Sequence, residues 1–370
     1  MKAVMFTLLG IAALIGGFFA WFFMGYLKLP ELIIPVDASE KEKVEIVDSW
    51  FNELQEKNKF NGVVLLGKEG EALLAKGYGY ADAKKENPLT ERSSLRLASV
   101  SKQFTAAGIL LLQEQGELTV DDLVADHLEG LPYKTVKIRH LLNQTSGIPD
   151  LYMDLAEENE EEISLLTNEI AVKLLIEENA EAIASPNEEY EYSNTNYILL
   201  ARIIELVSGR SYEVFMKEEL FEPLGMENTR VWNLLSEEES LPGQAEDIRN
   251  FDGKFSKLLP SFLDGVAGDG AVFTSALDLL IWDKFWYENE LISQENLQEA
   301  FKEPPLLDGE TSDYGFGWMI TSTGMWHNGG WLGARTYISR NIEEKTVMAI
   351  LDNSSNIHLD EIISSLRKAY

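Results

Sequence analysis

The chain contains no cysteine. That excludes disulfide staples, thiolate zinc sites, a cysteine nucleophile and a lipidated N-terminal cysteine. Histidine is scarce: His127, His140, His327 and His358 are scattered without an HExxH-like spacing, so the sequence suggests no metal site and implies no cofactor. Positive charge is the third deficit, with 31 Lys and Arg against 62 Asp and Glu and a formal net charge of -31. Such a polyanion repels nucleic-acid backbones and anionic lipid surfaces, so nucleic acid is excluded as a partner.

What is present suits a globular protein. The 370 residues are 45% hydrophobic and 10% aromatic, enough to bury a large core in roughly two domains or in one large domain with an inserted lobe. The charge is unevenly placed. Residues 1–28 hold Lys2 and Lys28 and no acid; taking those two from the 31 basic residues leaves 29 against 62 acidic, a net of -33 for the rest.

From Ala3 to Leu27 the sequence runs for 25 residues without a charge. A helix needs only about 20 residues to cross the hydrocarbon core of a bilayer. Trp21 and Tyr26 suit an interfacial belt, and no clear small-x-small cleavage site follows. The pattern predicts a transmembrane anchor over 1–28, inserted through residues 3–27, with the body outside the cytoplasm. A long signal peptide and a buried core helix are the competing readings.

Residues 29–44, with two prolines and mixed charge, read as a linker. Val47, Trp50, Phe51 and Leu54 recur at helical spacing. Two apolar runs around the turn-prone KEGE predict a hairpin, and a long helix is expected to open near Ser99 and end before Gly116. The pattern is mainly helical from there to about 265, and the acidic stretch 151–190 reads as a solvated insertion with one amphipathic helix. Strand candidates return in YGFGWMI, RTYISR and KTVMAILDN before a closing helix. The expected fold is therefore α/β (α+β): an antiparallel sheet built from about 45–98 and 270–370, flanked by N- and C-terminal helices, with an all-helical lobe over about 99–269.

Three short motifs carry chemistry. Ser99-Val-Ser-Lys102 puts a hydroxyl and an amine three residues apart where a helix begins. A serine hydroxyl is a poor nucleophile at neutral pH and needs an adjacent base, so this pair is a candidate catalytic couple; alone, it also reads as a helix cap with a solvated lysine. Tyr192-Ser-Asn194 precedes an apolar helix, and His327-Asn-Gly329-Gly330 leads into a strand. No G-x-S-x-G elbow is present, and GYGYAD lacks the third glycine of a dinucleotide loop.

In this order and spacing the motifs resemble those of the penicillin-recognising serine hydrolases, in the branch that holds class C β-lactamases, related D,D-peptidases, D-aminopeptidases and family VIII esterases. The resemblance extends to HLLNQTSGIPD, GDGAVFTSALDLLIW and YGFGW and covers about residues 45–370. It implies Ser99 as the acylated nucleophile, Lys102 with Tyr192 as its base, and Asn194 orienting Lys102 and the substrate amide. It also implies an oxyanion hole from the backbone N–H groups of Ser99 and Gly330, with Gly329 letting the strand approach. His327 replaces the usual lysine of the third motif, which implies a charge conditional on a pKa near 6.5 and casts doubt on efficient β-lactam hydrolysis. Arg335 is a further candidate for a substrate carboxylate, or for an ordinary ion pair. Peptide, ester and β-lactam substrates, without a cofactor, follow from the resemblance; a catalytically silent sensor or scaffold on the same fold is the alternative.

Overall fold

The computed structural model describes Gly17 and residues 28–236 and 243–369. The expected anchor lies outside the described residues except for Gly17, and among the described residues no helix is long and apolar enough to cross a membrane.

Helix α1 (Glu40–Glu56) opens on a capping box: Ser39 accepts from the Glu42 N–H while the Glu42 carboxylate accepts from the Ser39 N–H. Strands β1 (Gly62–Lys68) and β2 (Glu71–Tyr78) form the expected hairpin. The short β3 (Leu95–Arg96) leads to α2 (Lys102–Glu114). The lobe carries β4 (Arg230–Val231), β5 (Ile248–Phe251) and β6 (Lys254–Lys257), and after it come β7 (Val272–Thr274) and α3 (Ala276–Phe285). Strands β8 (Met319–Thr321), β9 (Gly324–Trp331), β10 (Ala334–Asn341) and β11 (Thr346–Asp352) precede the closing helix α4 (Leu359–Ala369).

The main sheet is antiparallel in the order β2-β1-β11-β10-β9-β8, so both ends of the chain build it. Strand β1 is buried on both faces. Val64 and Leu66 pack with Val47, Phe51, Ile350 and Ile362 under α1 and α4. Val63 and Leu65, one residue out of phase, join the larger core with Phe104 and Trp282 from α2 and α3. The sheet is thus a middle layer, and the second core couples it to the lobe.

The lobe departs from the all-helical expectation. Strand β4 joins β7 and β3 in a small sheet, and β5 and β6 form a separate hairpin. Asp252 and Gly253, with φ of 48° and 81°, make the tight turn of that hairpin. An Asp-Gly between apolar-alternating residues is a strong local hairpin signal, and the helical reading of this stretch overlooked it. The insertion at 151–190 holds two helices, Tyr152–Glu158 and Asn168–Glu178, where one was expected.

Candidate active site

The expected nucleophile sits on a strained turn. Ala98 has φ of +49°, and Ser99 follows on a single 3-10 turn, Ala98–Ser101, that feeds directly into α2. A non-glycine residue in the left-handed region costs energy and persists only where neighbours hold it. They do: the Leu97 N–H donates to Val272 O, the Thr336 hydroxyl to Leu97 O, and the Val272 N–H to Ser101 Oγ. Strands β7 and β10 clamp the turn from both sides.

Lys102 is fully buried. Its Nζ donates to Ser99 Oγ at 3.2 Å, to Asn194 Oδ1 at 2.8 Å and to the Asp269 carbonyl at 2.9 Å. An ammonium has three donors, and all three find an acceptor. The amine also lies 5.0 Å from the Tyr192 ring centroid and 5.5 Å from that of Tyr197. Ser99, Lys102, Tyr192 and Asn194, the four residues the resemblance singles out, are therefore brought together.

Sequence reasoning missed the groups that hold these four. Asp150 accepts from the Asn194 side-chain N–H at 2.9 Å and from the Thr195 backbone N–H at 2.9 Å, which fixes the Asn194 amide with its oxygen towards Lys102. Gln144 accepts from the Ser193 N–H and from the Asn196 side chain, bracing the loop that carries Tyr192. Tyr152 donates to the Asp269 carboxylate at 2.8 Å, so the residue whose carbonyl receives Lys102 is itself pinned. Burial pushes the Asp269 carboxyl up, against the opposing pull of Lys102. The stretch 151–190, which reads in the sequence as a solvated insertion, thus supplies Tyr152.

The third motif lies on β9. Strand β8 pairs with β9 only as far as Trp326, so the edge from His327 onward is left to the cleft. A Cβ on Gly329 would fall 2.3 Å from Leu97 O and 3.0 Å from Ser99 N, so only glycine lets β9 pass this close to the nucleophile. Gly330 follows, lining one cavity with Ser99 and Asn194. The two implied oxyanion donors are brought to the same opening.

His327 requires a correction. It is 3% exposed, and both ring nitrogens are taken: Nδ1 lies 2.6 Å from Asn328 O and Nε2 2.9 Å from Tyr314 Oη. A carbonyl can only accept, so Nδ1 carries the proton and Nε2 accepts from the Tyr314 hydroxyl. Burial, with Lys102 adding to it, depresses the imidazole pKa to about 3. The conditional charge expected near pH 6.5 is absent; His327 is a neutral brace between β9 and the YGFGW segment. Arg335 pairs in register with Gly330, and its guanidinium donates to the carbonyls of Leu332 and Ala334, which makes it a local clamp in this structure. Among the described residues, no group of three His, Asp or Glu is arranged to hold a metal ion.

Residues 47–363 match the family described as Beta-lactamase. The chain is 38% identical over 328 residues to Penicillin-binding protein 4* of Bacillus subtilis (strain 168), an alignment covering 85% of this chain and 72% of that protein. Among solved structures it superposes on the octameric penicillin-binding protein homologue from Pyrococcus abyssi with a TM-score of 0.72 at 28% identity, covering 85% of this chain and 74% of that one. The D-amino acid amidase from Ochrobactrum anthropi SV3 shares the fold, with a TM-score of 0.67 at 22% identity over 88% of this chain and 99% of its own.

Proposed function

The chain belongs to the Beta-lactamase family of serine hydrolases, and we propose that within it the protein forms an acyl-enzyme at Ser99. The observation that carries this reading is the 3.2 Å hydrogen bond from a fully buried Lys102 to Ser99 Oγ. With Lys102 as the neutral amine, Ser99 attacks the substrate carbonyl while its proton passes to Lys102 Nζ, and Tyr192 beside the amine relays it. The N–H groups of Ser99 and Gly330 receive the developing oxyanion, a donor type typically worth about 3 kcal/mol each. Tyr192 returns the proton to the leaving group, and water then releases the acyl group by the reverse path.

Peptide-like amides and β-lactams are the substrates suggested by the likeness to Penicillin-binding protein 4*. Esters are a second reading, and one observation favours it: the neutral, internally bonded His327 presents no cation for a substrate carboxylate. Incubating the purified protein with a fluorescent penicillin and with a p-nitrophenyl ester tests both, with Ser99→Ala as control. Turnover or labelling that vanishes in the control is expected; inertness towards both probes contradicts the reading. The uncharged run 3–27 supports a membrane tether with the body outside the cytoplasm. Retention of the full-length chain in the membrane pellet after carbonate extraction is expected, and release as a shortened soluble chain contradicts it.

A further inference from the structure

The stretch between the uncharged run and α1 is packed on the body. Leu29 is 7% exposed and shares one apolar core with α1 and α4, and Leu32 and Ile34 pack against that core. Trp50 of α1, itself buried, donates its indole N–H to Pro30 O at 3.0 Å. A buried N–H left without an acceptor is destabilising, so this bond helps to hold the stretch down. The Ala38 N–H donates to Pro35 O in the turn that leads into α1.

The outward side of the same stretch is apolar where solvent favours polar groups. Ile33, between the inward Leu32 and Ile34, is 68% exposed, and Val36 at the turn is fully exposed. Their place in the chain points to a partner. Leu27, the last residue of the uncharged run, stands two positions before the buried Leu29, and two residues reach at most about 7 Å. The 25 residues of the run exceed the roughly 20 that cross the hydrocarbon core. The surplus falls within the headgroup layers, which add about 10 to 15 Å over the two faces of a bilayer. Little chain is left to lift the body off the lipid.

We propose that residues 28–36 seat the body on a zwitterionic phospholipid surface, with Ile33 and Val36 at the boundary of headgroups and acyl chains. The proposal rests on the membrane tether of residues 3–27 and adds an orientation to it. Glu31 and Asp37 are exposed on either side and the whole chain carries -31, so attraction to anionic lipid does not make this contact. Removal of two apolar side chains from water does. Successive residues of β9 point to opposite faces of the sheet: Trp326 packs on the outer core, and Gly329 faces the Ser99 turn. The sheet and the α1–α4 layer, together about 20 Å thick, then separate the cleft from the seated face. Substrates reach Ser99 from the aqueous side and not from within the bilayer.

The chain has no cysteine, so Ile33→Cys, Val36→Cys and, on the lobe, Ile183→Cys each give a unique site for a nitroxide label. The full-length labelled proteins are reconstituted in phosphatidylcholine vesicles. Power-saturation EPR then compares collisions with oxygen, which partitions into lipid, and with a water-soluble nickel chelate. Labels at 33 and 36 are expected to show a severalfold higher ratio of oxygen to nickel accessibility than the label at 183, a position that is 54% exposed on the lobe. Equal ratios at the three positions overturn the seat. Spin–spin broadening at 33 or 36 marks a contact between copies of the chain and overturns it as well. Carbonate extraction of the same samples separates the two readings. A chain retained in the pellet with water-exposed labels keeps the tether and refutes the seat, whereas a chain released by carbonate refutes the tether and the seat with it.

Discussion

Arg340 and Lys102 are both buried basic side chains, and their surroundings differ in kind. Arg340, on β10, donates Nε to the Asp283 carboxylate at 2.8 Å and Nη2 to the Asp283 carbonyl at 2.9 Å, with both side chains 1% exposed. Lys102 donates to a hydroxyl, an amide oxygen and a backbone carbonyl, none of them charged. A counter-ion locks a charge in place, because moving the proton strands the partner. Neutral acceptors leave the proton free to move. The first arrangement ties α3 to the sheet, and the second prepares a serine for attack.

The sharpest way to break the contrast is to remove each side chain's function in turn. Lys102→Ala is expected to lower kcat/KM by about 10³ to 10⁴-fold, the range of a lost acid–base group, while thermal stability holds or rises. Asp283→Ala is expected to do the reverse: it leaves Arg340 uncompensated and costs about 3 to 5 kcal/mol in urea denaturation, with kcat/KM of the folded fraction unchanged. Activity loss in the second variant equal to that in the first would erase the distinction. Gly329→Ala sharpens it from a third side. A Cβ placed 2.3 Å from Leu97 O must push β9 off the nucleophile turn, and a loss of about a hundredfold in kcat is expected, with KM less affected.

Much of this site was legible in the sequence because its four central side chains sit in two short motifs. Ser99 and Lys102 are three residues apart at a helix entrance, and Tyr192 and Asn194 flank one serine at the start of another helix. The hairpin around Glu69-Gly70, the helix after Ser99 and the return of strands near the C-terminus follow from local periodicity and turn chemistry. What holds the motif residues was not legible. Asp150 and Asn194 are separated by 44 positions, Tyr152 and Asp269 by 117, and no periodicity reports such a pair. The state of His327 was hidden for a different reason: its residue type suggests a titrating group, and only burial against Tyr314 and the Asn328 carbonyl makes it neutral. In the lobe, the Asp252-Gly253 signal was present in the sequence and was overlooked in a stretch read as mainly helical.

The smallest expected effect concerns pH. With the His327 pKa at about 3, kcat/KM for carboxylate-bearing and neutral substrates should follow parallel profiles between about pH 5 and 8. Its influence falls on stability instead. The folded imidazole titrates near 3 and the unfolded one near 6.5, so between these values the unfolded chain holds the extra proton. The contribution is fully present above about pH 6.5 and is lost as pH falls towards 3. His140, depressed to about 4 by burial, adds in the same direction. Urea midpoints should therefore drop from pH 7 to pH 4.5, and His327→Gln should flatten that slope in part.

The central claim is that a buried, neutrally solvated Lys102 activates Ser99. Intact-protein and peptide mass spectrometry after brief exposure to an acylating probe tests it most directly. A single acyl group on Ser99 is predicted, absent in Ser99→Ala and formed about a thousandfold more slowly in Lys102→Ala. An adduct on another residue, or one that forms on Ser99 as fast without Lys102 as with it, would contradict the account.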